Sequence, residues 1–418
     1  MTTQPKPGAS PKPGASPKPK TAGKAPAGAA PRRRPAKKGA RPKGKKTVRK
    51  ATPGWLKALK VLFLLTSFLA AVCLCVTGYA GNMSPVTNSA IWGILPLCFS
   101  PVALAVVILL LCQIGWNRGG IIILVIGMIF AAGPLLTLCP LHVFTPSVPK
   151  DSEPLSLLTY NVHNFDFRGE SSAEEISSYI LEQNADVVFL QECGDVMWKN
   201  IPKAKRDSLH KMYPYVFHGG YAQTTLSKNP LSPIHINLNR STFGGGDLAL
   251  YRLTMEDGRL VTLFNVHMAS YNLTQADRDL YRDLTKMKPE DPTEIKDQLL
   301  SKLAASARDR AREARQLTRY VRLYGGPNVI IAGDFNDVPG CYSIRMLENE
   351  AGFEDVYPKV GFGPMITFYA NRFYFCIDHV LSRGALKPIS LKKGTLKASD
   401  HYPLTVKFAL TNQNVEKE

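Results

Sequence analysis

Six apolar runs in the C-terminal two-thirds of this chain begin or end in a polar side chain able to bind a metal ion or carry a proton. Asn161 closes the first and Gln191-Glu192 the second. Asn265-Val-His267 closes a third and Gly333-Asp-Phe-Asn336 a fourth. Ile377-Asp378-His379 opens a fifth, and Ser399-Asp400-His401 precedes the last. One strand ending in a carboxylate is ordinary. Six such ends imply convergence, because strand ends are where α/β proteins assemble their sites. Glu192, Asp334 and Asp400 drawn together repel one another and call for a cation. Hard oxygen donors suit Mg²⁺, with Mn²⁺ or Ca²⁺ as alternatives, and the scarcity of cysteine argues against zinc. A divalent ion beside His267 and His401 fits phosphoryl chemistry: the ion polarises a phosphoryl oxygen while an imidazole moves a proton.

The elements that must position these groups are legible in the hydrophobic pattern. Strand runs are expected at 155–162, 186–191, 248–254, 260–266, 328–333, 376–382 and 403–409. A capping-box pattern at Ser171-Ser-Ala-Glu174 opens an amphipathic helix through Ile176 and Ile180. Many strands and fewer helices predict two packed sheets flanked by helices. His163 and His379 alternate to the opposite strand face from their motif neighbours and are expected to be structural. A helix over Ser301–Tyr324 shows an apolar stripe (Leu303, Ala307, Ala311, Ala314, Leu317, Val321, Tyr324) and a second stripe of Arg308, Arg312, Arg315, Arg319 and Arg322. A solvated face is the plain reading of that second stripe, with Asp309 and Glu313 partly neutralising it; a contact with anionic lipid or polynucleotide is the sharper one.

The N-terminal third is different in kind. Residues 1–52 carry sixteen Lys or Arg and no acid, and repeat Pro-Lys-Pro-Gly-Ala-Ser twice, a composition expected to stay disordered. Three apolar runs follow, Val61–Tyr79, Ile91–Ile114 and Gly120–Cys139, each near the ~20 residues needed to cross a bilayer as a helix. The basic tail, Lys57, Lys60 and Arg118 flank one side of these runs, which predicts a cytoplasmic N-terminus and an extracytoplasmic globular part after three crossings. Their interiors hold no Asp, Glu, Lys or Arg, so they read as an anchor rather than a transport path. The expected organisation is a tail (1–52), three transmembrane helices (53–145) and a catalytic domain (150–410). The chain holds 52 basic and 33 acidic side chains, of which residues 1–149 take 19 and none, so the globular part is balanced at 33 each. Net charge therefore gives no case for nucleic-acid binding by that part. Five of the eight cysteines lie in the apolar runs, no CxxC pair occurs, and free thiols are expected.

Taken together, Thr159-Tyr-Asn-Val-His-Asn-Phe165, Leu190-Gln-Glu192, Phe264-Asn-Val-His267, Ala332-Gly-Asp-Phe-Asn-Asp337, Ile377-Asp-His-Val380 and Ser399-Asp-His401 resemble, in order, the motif series of the endonuclease/exonuclease/phosphatase family. The resemblance covers residues 153 to about 410 and implies a four-layered α/β sandwich. It implies that Glu192 is the principal metal ligand with Asn161 and Asp400 beside it. Asp334 and Asn336 resemble the pair that positions the attacking water and the scissile phosphate. His401, oriented by Asp378, resembles the proton-transfer histidine, and His267 the histidine that stabilises charge on the phosphate. Asn265, Asn336 and His267 are the candidates for phosphate contact. Whether Asp334 or His401 takes the water's proton stays open. The sequence departs from the family in one place: where many members have Arg before Ile-Asp, this chain has Phe375-Cys376-Ile377-Asp378, with Arg372 out of register.

The expected activity is a membrane-anchored hydrolase of phosphate esters, most simply a phosphodiesterase. The alternatives are a nuclease acting on DNA or RNA, and an inactive membrane scaffold, whose signature would be a missing site residue. Substrate identity is expected to reside in the loops Tyr221–Gly246 and Asn272–Leu300.

Overall fold

The computed structural model describes residues 53–238, 243–271, 292–370 and 373–412, with the side chains of 292–298 excepted. The basic tail, most of the 272–300 segment and Arg372 lie outside the described residues. All seven expected strand runs form strands. In chain order β1 (Glu153–Asn161) leads to a small hairpin of β2 (Asp166–Phe167) and β3 (Glu170–Ser171). Next come β4 (Val187–Gln191), β5 (Tyr215–Gly219), β6 (Gln223–Ser227) and β7 (Leu231–Pro233). β8 (Asp247–Thr254) and β9 (Leu260–His267) precede a long helix, Pro292–Tyr324. β10 (Val329–Asp334), β11 (Glu354–Asp355), β12 (Asp378–Arg383), β13 (Leu386–Lys393) and β14 (Leu404–Leu410) complete the order.

Two six-stranded sheets result, in the orders β13-β14-β1-β4-β6-β5 and β11-β12-β10-β9-β8-β7. Each has a parallel pair at its centre, β1 with β4 and β9 with β10. A parallel pair needs a crossover. The helix Ala173–Gln183 supplies one, and Pro292–Tyr324 supplies the other. Side chains alternate accordingly. Leu155, Leu157 and Phe189 meet Leu263, Ile330 and Val380 between the sheets. Leu158, Tyr160 and Leu190 face outward onto Ile176, Ile180 and Leu209. On the other flank Phe264, Val266 and Ile331 lie against Ala314, Leu317 and Val321. The fold is the expected four-layered α/β sandwich.

The pattern did not reveal β5, β6 or β13. β6 is Gln-Thr-Thr-Leu-Ser, fully buried along its length, so its signature is polar although its place is interior. The edge strand β13 carries Lys387, Pro388, Lys392 and Lys393, a composition typical of protected edges. The capping box does not form. Ser172 occupies the cap position of the helix Ala173–Gln183, but no side-chain hydrogen bond caps it, and the helix ends at left-handed Asn184.

Among the described residues, two helices are long and apolar enough to cross a membrane, Gly54–Asn82 and Ile91–Gln113. The third run is not the straight span expected. It is two helices, Arg118–Phe130 and Ala132–Leu138, bent by 74°. Pro134 has no N–H to give to the carbonyl of Phe130, four residues back. The hydroxyl of Tyr79 donates to that carbonyl instead, at 2.8 Å. The helices approach closely at small residues, with Gly127 against Ala71, and Gln113 donates to Ser67 at 2.9 Å. All eight cysteines are free, and Cys193, Cys341 and Cys376 are buried.

The described helices pack on the globular part through the turn between the first two. Gly81 lies so close to the Gly340 carbonyl that a Cβ would overlap it. Beyond the bent pair, Gly363 N donates to Pro140 O at 2.8 Å and His142 N to Gly361 O at 3.1 Å.

Gly333 is where backbone geometry and site position meet. It has φ +147°, and a Cβ there would overlap the Val266 carbonyl on β9. Gly333→Ala is expected to cost about 2–3 kcal/mol, within the usual range for overpacking. Thermal melting of the detergent-solubilised chain reads this; an unchanged melting temperature contradicts it.

Candidate active site

The two parallel pairs end side by side, and the polar residues sit on those ends. Asn161 is in register with Gln191, one residue before Glu192. Asp334 is in register with His267 on one side and with Asp378 on the other. Strand register alone therefore delivers four of the expected groups to one edge. Asp400 and His401 arrive from the segment preceding β14. The hydroxyl of Ser399 donates to Asn161 O at 2.8 Å and so ties that segment to β1.

The side chains form one continuous cluster. Asn161 Nδ2 donates to Glu192 Oε1 and to Asp334 Oδ2, both at 3.0 Å. His267 Nε2 is 3.8 Å from Glu192 Oε1 and 3.7 Å from Asp334 Oδ2. His401 Nε2 lies 3.6 Å from Asp334 Oδ2, while its Nδ1 is 2.8 Å from Asp378 Oδ2. Asn336 donates its backbone N–H to Asp334 Oδ1 at 2.8 Å and its side chain to Met268 O at 2.9 Å. Glu192 and Asn336 are held at positive φ, +54° and +50°. Such backbone is rare for non-glycine residues and concentrates at functional sites.

One residue read as structural belongs to this cluster. His163 does not face away: Nδ1 lies 3.5 Å from Glu192 Oε2 and 3.6 Å from Asp400 Oδ1. Strand alternation does not apply to it, because β1 ends at Asn161 and the next turn holds His163, Asn164 and Phe165 at positive φ. Asn164 Nδ2 also reaches Glu192 Oε2, at 3.2 Å. His379 is structural as expected: it is buried, with Nδ1 3.0 Å from Asp355 and Nε2 3.0 Å from Asp337 O.

Asn265 is not in the cluster. It is fully buried and takes a hydrogen bond from Gln191 at 2.7 Å, which links the two sheets below the site. Its side chain is committed to the interior and cannot reach a bound phosphate.

The electrostatics follow from crowding. Glu192, Asp334, Asp378 and Asp400 have no Lys or Arg within ion-pair distance among the described residues; their partners are His163, His267 and His401. Burial opposes ionisation of Glu192, but His163, His267 and Asn161 outweigh it and hold its pKa down to about 2. Burial likewise disfavours the charged form of His401, yet Asp378 and Asp334 push its pKa up to about 10. For Asp334 burial prevails and raises the carboxyl above its ordinary range, with Asp378 adding to the rise. A divalent cation fits this surplus of carboxylates, and the oxygen-rich set matches a hard ion.

The tightest group of possible ligand atoms is Asp334, Asp378 and His401, within 4.8 Å of one another. That differs from the expected Glu192, Asn161 and Asp400. The His401–Asp378 hydrogen bond already engages Nδ1, so this trio reads better as an acid–base group than as a chelate.

Sequence reading missed what supports the cluster from the long helix. Arg310 is fully buried; Nε is 3.1 Å from Asp337 Oδ1, Nη1 donates to Ala269 O at 3.1 Å, and the guanidinium lies over the Tyr271 ring at 4.2 Å. Glu313 does not neutralise the arginine stripe as expected. It is buried and accepts from Gly246 N and Ala269 N, both at 2.8 Å. The stripe itself is exposed, with Arg312 2.8 Å from Asp309. The signal for Arg310 was present: its spacing places it with Ala307, Ala311 and Ala314 on the apolar face.

The comparisons with known proteins fall in line with this geometry. Residues 158–401 match the model of the Endonuclease/Exonuclease/phosphatase family. No curated protein matches the chain. Among solved structures, a humanized D. rerio TDP2 is 19% identical with a TM-score of 0.42, over 61% of this chain and 98% of that one. An endonuclease/exonuclease/phosphatase from Beutenbergia cavernae is 17% identical with a TM-score of 0.45, over 63% and 73%. A family protein from Bacteroides thetaiotaomicron is 13% identical with a TM-score of 0.42, over 62% and 99%. Likeness this distant adds no weight, and the assignment rests on the family match, which spans more than half of the chain. By that match the chain belongs to the endonuclease/exonuclease/phosphatase family, and its C-terminal two-thirds is a metal-dependent phosphoric ester hydrolase.

Proposed function

We propose that this protein is a membrane-anchored, Mg²⁺-dependent phosphodiesterase. The observation that carries the reading is the cluster itself: four carboxylates, three imidazoles and no Lys or Arg among the described partners, around a buried His401–Asp378 pair. Glu192 and Asp400 face the same imidazole nitrogen of His163, and with Asn161 they are the residues that would hold the ion. When bound, the ion would supply Lewis acidity to a phosphoryl oxygen. The remaining roles belong to the chain. Asp378 fixes the His401 tautomer, and His401 moves a proton. Asp334 and Asn336 orient the attacking water and the phosphate. His267 meets charge building on the phosphate oxygens or protonates the leaving oxygen. In the net reaction water oxygen bonds to phosphorus, one ester P–O bond breaks, and the leaving oxygen gains a proton. Apart from Asn265, every expected site residue lies in the cluster, which disfavours the scaffold alternative. The balanced charge of the globular part disfavours the nuclease.

The anchor reading divides the chain into a tail (1–52), a membrane region (53–145) and a catalytic domain (150–410), with a cytoplasmic N-terminus. The turn at 80–90 and the globular part touch, and an odd number of crossings places them on one side. A bent third crossing satisfies that count.

Four outcomes are expected. Purified full-length protein hydrolyses bis(p-nitrophenyl) phosphate with Mg²⁺ and stops with chelator. Glu192→Ala and His401→Ala each lower kcat/KM by about 10²–10⁴-fold, the usual scale for a proton-transfer group; full activity in both variants would sink the site assignment. Arg310→Met leaves buried Asp337 without its cation and lowers stability by about 3–5 kcal/mol in denaturant titration. Protease added outside intact cells cuts the C-terminal domain, whereas complete protection would reverse the assigned sidedness.

A further inference from the structure

A seventeen-residue arm, Gly361 to Ile377, joins the exit of the apolar helices to the catalytic histidine. Six of its residues are aromatic, none is acidic, and its one charge is Arg372. At its start the arm is fastened to the chain leaving the bent pair, through the Leu141–Phe362 bridge and the Pro140 and His142 hydrogen bonds. At its middle it is fastened to the site. Thr367 Oγ1 accepts from Ile377 N at 3.0 Å and Asp378 N at 3.1 Å, and Tyr369 N donates to Asp400 O at 3.0 Å. The Phe368 ring meets His401 edge-on at 5.1 Å between centroids. Leu97, from the second apolar helix, packs into the cluster formed by Val338, Cys341 and Ile377 with Phe368 and Phe375. The path from that helix to His401 is thus apolar throughout.

The arm leaves large apolar side chains uncovered. Phe362 is 66% exposed, Tyr374 59% and Ile366 39%, and the adjoining Val143 and Phe144 are 71% and 88% exposed. Contiguous apolar exposure of this kind marks a contact surface. Its continuity with helices able to cross a membrane identifies the occupant as the interfacial layer of the bilayer, where aromatic side chains are enriched. We infer that the described residues of this arm, 361–370 and 373–377, lie in the membrane interface and present a lipid-borne phosphodiester to the site. Water then adds to the lipid phosphorus, one of its two ester bonds breaks, and an alcohol and a phosphomonoester are released. This deepens the phosphodiesterase reading and rests on it.

The test uses full-length protein in vesicles of glycerophospholipids with a sphingophospholipid, beside soluble bis(p-nitrophenyl) phosphate. The variant is Phe362→Ser, Ile366→Ser, Tyr374→Ser combined, checked for an unchanged melting temperature. The wild type should release lipid headgroup or phosphorylated headgroup as well as nitrophenol. The variant should lose tenfold or more of the lipid reaction and keep the soluble one within about twofold. Wild-type activity on the soluble diester alone overturns the inference and leaves the phosphodiesterase reading standing. Inactivity of the wild type on both sinks that reading itself. Equal loss on both substrates, accompanied by dissociation of a dimer, assigns the surface to a second copy and also overturns it. Should the triple variant fail to fold, the single variant Tyr374→Ser must still lower the ratio of lipid to soluble turnover, and an unchanged ratio overturns the inference.

Discussion

Concentrated negative charge is the constraint around which this molecule is organised. Glu192, Asp334, Asp378 and Asp400 occupy one small volume, and Asp334 and Asp378 are buried in it. In the described chain imidazoles, amides and the Ser399 hydroxyl answer them, and no Lys or Arg does. Imidazoles can take up or release a proton, and amides carry no charge, so the balance is adjustable where a lysine or arginine would freeze it. A site that must accept a cation and then a phosphate needs that latitude. The buried Arg310 braces Asp337, and among the described residues no Lys or Arg pairs with the four carboxylates.

Architecture makes the crowding affordable. Each sheet contributes one central parallel pair, and a parallel pair aligns two strand C-termini at the same edge. Packing two such sheets face to face brings four C-termini together without any loop having to travel far. The hydrogen-bonded layer of Gln191, Asn265 and Thr225 lies between the sheets just beneath, and it fixes the spacing at which the ends meet. Strain is spent locally: Glu192 and Asn336 turn through left-handed backbone immediately after their strands, so that side chains leaving a pleat are redirected into the common space.

What the amino-acid pattern disclosed, and what it hid, follows from this layout. Apolar strands with polar ends are visible because burial dictates the first and chemistry the second, and so all seven main strands and most of the cluster could be read directly. β6 was invisible because its interior is built from Gln223, Thr224, Thr225 and Ser227, a buried polar run in which Gln223 and Thr225 bond to the other sheet. His163 was misplaced because strand alternation was extended past the last strand residue, into a turn where it does not hold. Asn265 was over-read: it shares a pleat face with His267 but lies two residues further back along β9, in the buried layer where Gln191 binds it. Arg310 and Glu313 were absorbed into helical stripes, since periodicity reports a face and is silent on which charged members of it are buried. The bend in the third apolar run was encoded in Pro134, but the partner that stabilises it, Tyr79, is remote in sequence.

The contact of Gly81 with Gly340 has a mechanical consequence. A side chain at Gly81 would hold the two segments apart; without one, the turn between the first two helices rests on the backbone just four residues beyond Asn336. Helices in a bilayer answer a mismatch in thickness by tilting. On the anchor reading proposed above, a rigid-body tilt here would have no soft spacer to absorb it and would be passed to the loop that carries Asn336. If the helices are the proposed anchor, the thickness of the surrounding lipid would become a variable in the rate, with Gly81 as the point of transmission.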